Sequence, residues 1–81
     1  MSREEVERMV DSVLIKLLKI DAGSVVEASR ESVKNWTSLM HVEIFFSLEE
    51  EADVRFSDDD IAFSESRNEI VEAVLTAIST N

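Results

Sequence analysis

The 81-residue sequence has no cysteine, no proline and one glycine, Gly23. Without cysteine there is no disulfide framework, and no thiolate to hold a metal or act as a nucleophile. With so few turn-forming residues a β-sheet fold is starved of tight turns, and a mostly helical chain is the economical reading. Long apolar runs are also missing, so no segment is expected to span a membrane. The opening stretch MSREEVERMV is too charged for a secretory signal. A cytoplasmic protein is expected. Splitting so short a chain would leave two cores too small to stabilise themselves, so one domain over 1–81 is expected.

Positive charge is scarce as well: Lys and Arg number 8 against 18 Asp and Glu, for a net charge of −10. Affinity for nucleic acid comes largely from counterions released by basic side chains, so this balance argues against a nucleic-acid partner. The deficit is uneven. Residues 1–34 carry six basic and seven acidic side chains, whereas residues 35–81 carry two and eleven. Such a face repels acidic membranes and steers basic protein surfaces toward it. Hydrophobic residues make up 44% of the chain, enough to place it among folded domains rather than disordered chains.

What is present is helical periodicity. Over residues 3–19, Val6, Met9, Val10, Val13, Leu14, Leu17 and Leu18 recur at three- and four-residue spacing and predict an amphipathic helix. Glu4, Glu5 and Glu7 near its start and Lys16 and Lys19 near its end complement the helix dipole. From Asp21 to Trp36 the pattern lapses into a long loop, with Gly23 as the expected helix stop. Its valines and Trp36 suggest that the loop packs on the core. Residues 38–51 form the second expected helix, with Leu39, Val42, Phe45 and Phe46 as one apolar stripe. Met40, Ile44 and Leu48 broaden that stripe nearly all round, which implies contact on several sides. Glu49, Glu50 and Glu51 end this helix at the wrong pole for the dipole. Ser57 with Asp60 predicts a short helical turn carrying Ile61, and Ser66 with Glu69 a last helix through Ile70, Val71, Val74, Leu75 and Ile78. The four phenylalanines are core by default. The expected fold is therefore all-α: a small bundle of three main helices plus one short one, with a long loop between the first two.

The stretch NWTSLMHVEIF, residues 35–45, concentrates a Trp, two hydroxyl residues and the only His. At a helix start, Thr37 or Ser38 serves as a cap that accepts a hydrogen bond from a first-turn amide, contributing about 1 kcal/mol. The same position suits a phosphate on Ser38, facing free amides and the positive end of the dipole. A nucleophilic Ser38 with His41 as base lacks both a group to orient the base and a glycine turn for an oxyanion hole, so an enzyme is not expected. The acidic runs Glu49–Glu51 and Asp58–Asp60 lack the spaced oxygen ligands and central glycine of a calcium loop. They read as a solvated face or a docking surface.

The order of these features resembles the acyl carrier protein family, over nearly the whole chain from Val6 to Ile78. The most specific stretch is WTSLMHVEIFFSLEEEADVRFSDDDI, which is similar to that family's DSL motif and the helix after it, including the variant with Trp ahead of the motif. This resemblance implies that Ser38 receives 4′-phosphopantetheine from coenzyme A through a separate, magnesium-using phosphopantetheinyl transferase. It also implies that the protein carries acyl groups as thioesters and catalyses nothing itself. Acyl-transferring or acyl-modifying enzymes with basic docking surfaces would meet Thr37, Leu39, Met40, Glu43, Glu49, Glu50, Glu51 and Asp53. Such contacts favour fast, reversible encounter over tight binding. Three departures stand out: Thr37 replaces the acid of the motif, Met40 stands where many carriers have another acid, and the glycine before the motif is missing. The alternative expectation is an unmodified acidic interaction module. Either way a monomer is expected, since no sustained coiled-coil seam is present.

Overall fold

The structure is a computed structural model that describes residues 1–80; Asn81, the last residue of the expected domain, lies outside the described residues. Four α-helices follow one another: α1 (Arg3–Leu18), α2 (Ser38–Ala52), α3 (Asp58–Phe63) and α4 (Arg67–Thr80), with a 3-10 helix at Ala22–Glu27. No strand forms among the described residues, and the all-α bundle of three main helices and one short one is the architecture observed.

Each helix starts where a side chain satisfies an amide that the helix cannot. Ser2 Oγ accepts from Glu5 N–H while the Glu5 carboxylate accepts from Ser2 N–H, a reciprocal capping box. These hydrogen bonds from Ser2 hold the Glu5 carboxyl below its ordinary value. Ser57 Oγ accepts from Asp60 N–H to open α3, whose first turn also holds Asp58 and Asp59 at the pole that favours negative charge. Ser66 Oγ accepts from Glu69 N–H at the start of α4.

The end of α1 departs from expectation. Gly23 does not stop the helix; Lys19 does, in the left-handed conformation at φ 57°, its N–H donating to Ile15 O at 2.9 Å. Gly23 instead lies in the 3-10 helix with nothing near its Cα that a side chain would strike. The loop is thus more ordered than its composition suggests. It also packs: Val25, Ala28 and Trp36 are buried, although Val26 is exposed.

The core is built on α1, which packs against both α2 and α4. Val6, Val10, Val13, Leu14 and Leu18 form its buried face, and Ile70, Val71 and Val74 the facing surface of α4. Each such side chain taken from water contributes about 1.5–3 kcal/mol, so these residues outweigh any single surface contact. Among the described residues, one charged group enters the interior. Arg67, with a side chain 8% exposed, grips Asp11 of α1 through Nε–Oδ1 at 2.7 Å and Nη2–Oδ2 at 3.1 Å. Glu7 stands 3.8 Å from the same guanidinium, and Asn68 accepts from it at 2.9 Å. The Asp11 hydrogen bonds raise the Arg67 pKa further above its already high ordinary value.

α2 corrects the expected stripe. Its buried face is His41, Ile44, Phe45 and Leu48, at the i, i+3, i+4, i+7 spacing of one helix face. Leu39, Val42 and Phe46 lie on other positions of the helical wheel and are exposed, Leu39 by 67% and Phe46 by 62%. Phe63 on α3 is exposed by 73%, so only Phe45 and Phe56 of the four phenylalanines belong to the core. α2 meets α1, α4 and, through His41, Ile61 of α3, but its apolar surface is not covered all round. Its apolar residues divide between the core and a surface strip.

Candidate functional site

Thr37 and Ser38 divide the two roles open to them. Thr37 is the N-cap of α2, extended at φ −82°, ψ 174°, and its Oγ1 accepts from Met40 N–H at 3.2 Å. Ser38 is the first residue inside the helix, exposed, its hydroxyl not needed for capping.

The Ser38 hydroxyl instead meets a cation. Arg30 Nη2 donates to Ser38 Oγ at 3.2 Å while its Nη1 pairs with Glu65 Oε2, also at 3.2 Å. Sequence reasoning passed over Arg30, because nothing in a lone basic residue eight positions upstream signals that it returns to the motif. It is brought there by a backbone clip between Ser29 and Ser66. Arg30 N–H donates to Glu65 O and Arg67 N–H to Ala28 O, each at 2.9 Å, which ties the long loop to the junction of α3 and α4. On the other side of Arg30, a tight turn is held by Ser29 and Ser32, each hydroxyl accepting from the other residue's amide at 3.1 Å.

His41 has no part at Ser38. It is 5% exposed and points into the protein, where Trp36 Nε1–H donates to its Nδ1 at 3.0 Å. An accepting Nδ1 leaves the proton on Nε2, which donates to Ile61 O. Both ring nitrogens are thus engaged, and the imidazole joins an aromatic series. His41 meets Phe45 edge-on at 5.1 Å between centroids, and Phe45 meets Phe56 edge-on at 5.0 Å. Trp36 is the packing residue its position suggested, with the added task of fixing the His41 tautomer.

The remaining expected contact residues fall into two groups. Leu39, Glu43, Glu50, Glu51 and Asp53 are exposed, and Leu39, Glu43, Phe46 and Glu50 share one face of α2 by their spacing. Phe46, Glu50 and Asp53 also border an open groove with Val54 and Arg55. Met40 and Glu49 are half-buried. Glu49 has a structural role that the sequence does not disclose: its Oε2 accepts from Phe56 N–H at 3.0 Å, closing the turn after α2. Asp53 ends the helix in the left-handed conformation at φ 55°, which aspartate tolerates better than most residues.

The chemistry of this arrangement suits a phosphodiester on Ser38. The hydroxyl is accessible, the first turn of α2 contains no carboxylate to repel an anion, and a guanidinium is in contact with the oxygen that would be esterified. None of the described helices is long and apolar enough to cross a membrane. No protein-family model matches this chain, and no curated protein matches it.

Proposed function

We propose that this chain is an acyl carrier protein: a monomeric, cytoplasmic domain that bears 4′-phosphopantetheine on Ser38 and meets its enzymes through α2. The observation that carries this reading is the division of labour at 37 and 38, where Thr37 caps the helix and leaves the Ser38 hydroxyl exposed. In the loading step, catalysed by a separate transferase, Ser38 Oγ bonds to phosphorus as the pyrophosphate bond of coenzyme A breaks. The adenosine bisphosphate half leaves, and the hydroxyl proton passes to a base of the transferase. When bound, the group supplies the terminal thiol on which an acyl chain is carried as a thioester, a sulfur this cysteine-free chain lacks. The chain's own residues position and present: Thr37 fixes the helix start, and Glu43, Glu50 and Asp53 offer charge to basic enzyme surfaces.

Co-expression with a broad-specificity phosphopantetheinyl transferase, followed by intact-mass measurement, tests this. The expected result is one added phosphopantetheine on the wild type and none on Ser38→Ala. An unchanged wild-type mass, or an addition that persists in Ser38→Ala, refutes it.

A second reading is favoured by the exposed Leu39, Val42 and Phe46 beside the acids of α2. On it, the domain is an unmodified acidic interaction module, and its surface binds a basic partner without any group on Ser38. The mass of the protein isolated from its own cells separates the two, because only the carrier has the added arm.

A further inference from the structure

We propose that Arg30 is the positioning residue for the phosphodiester on Ser38, a role that rests on the carrier reading above. Arg30 is the one basic side chain in contact with Ser38 among the described residues, and it reaches Oγ from a backbone held on both flanks. The clip to Glu65 and Arg67 fixes one side and the Ser29–Ser32 turn the other, so the guanidinium has a defined origin rather than a free tether. Its side chain is 29% exposed, leaving it open to a group attached from solvent.

The unmodified arrangement is also electrostatically incomplete. A guanidinium beside the first residue of α2 stands at the positive pole of that helix, where cations are disfavoured. Glu65, on the far side, supplies the only carboxylate paired with it among the described residues. A phosphodiester on Oγ brings an anion to the place where the guanidinium and the helix pole converge. Esterification removes the hydroxyl proton and brings the charged non-bridging oxygens of the phosphodiester to the place where Nη2 now donates to a neutral hydroxyl, so the contact gains an ionised acceptor opposite its ionised donor. Glu65 retains Nη1 and keeps the fork in place, which a flexible lysine would not do as well. Thr37 fits the same scheme: an acid there, adjacent to Ser38, would compete with the phosphate for Arg30, whereas threonine caps the helix without charge.

The test is phosphorus NMR of the chain loaded by a transferase with coenzyme A and magnesium, with loading verified by intact mass. The same loaded chain unfolded in urea gives the resonance of an unheld phosphodiester. In the folded wild type the resonance is expected to be displaced from that position, and the displacement to shrink on adding salt. Arg30→Gln is expected to abolish both the displacement and its salt dependence, while leaving the amide spectrum away from residues 28–40 and 63–69 unchanged. Arg30→Lys, which keeps the charge but not the fork, retains part of the displacement and serves if the glutamine variant does not fold. A wild type that gains no mass refutes the carrier reading and the proposal together. A chain that gains mass and whose phosphorus resonance is the same in wild type, Arg30→Gln and Arg30→Lys overturns the role of Arg30 alone.

Discussion

Replacing Asp11 by Ala removes the carboxylate that faces Arg67, the buried charged group between α1 and α4. The Arg67 side chain, 8% exposed in the intact protein, would keep Glu7 at 3.8 Å and the Asn68 side chain as its remaining partners. Stripping a partner from a buried ion pair costs about 3–5 kcal/mol, chiefly because the other charge is left uncompensated. Here the low end, about 3 kcal/mol, is expected, since Asp11 is itself 24% exposed and Glu7 can move closer. In a domain of this size each kcal/mol moves the midpoint by about 4–8 °C, so thermal unfolding followed by circular dichroism should show a fall of about 12–24 °C. Pairing Asp11→Leu with Arg67→Met removes both charges and restores apolar contact between α1 and α4. Most of the loss should then be recovered. A single-variant fall of less than about 4 °C, or a double variant no more stable than Asp11→Ala, would refute the assignment of an interior ion pair that locks α1 to α4.

Three other outcomes are expected. Lys19→Gly relieves a left-handed residue at a cost of about 1–2 kcal/mol and adds about 0.5–1 kcal/mol of unfolded-state entropy, so a net gain of roughly 0.5–1 kcal/mol should appear in the urea midpoint. Thr37→Ala should lose about 1 kcal/mol in the same assay, whereas Ser38→Ala should stay within about 0.5 kcal/mol; the reverse order would mean that Ser38 is the cap. Glu5 is held below its ordinary value by Ser2, so its contribution is present above that value, 4.5, and lost as pH falls through the depressed one. Wild type and Glu5→Gln should therefore differ in thermal midpoint near neutral pH and converge in acid.

The helices were legible in the sequence because their caps and spacing agree, as at Ser57 with Asp60 and Ser66 with Glu69. α2 was only half legible. Apolar residues occupy nearly its whole circumference, and spacing alone does not reveal which arc meets α1; a histidine in the buried arc hid the answer further. The stop of α1 was misplaced because glycine is the usual left-handed residue, while Lys19 adopts that conformation where the helix ends. Of the site, Ser38 and its neighbours could be read from the motif. Arg30 and the Arg67–Asp11 lock could not, because each depends on residues 35 or 56 positions apart meeting in space.

The clip between residues 28–30 and 65–67 also orders events during synthesis. A ribosome releases the chain from its N-terminus, so α1, the loop and the motif are exposed while the residues that pin the loop are still unmade. Arg30 has no Glu65 to grip, and Ala28 O no Arg67 amide, until the α3–α4 junction emerges. Until then the surroundings of Ser38 lack their fixed cation. The site is finished only once the α3–α4 junction is made, although most of its residues are translated before it.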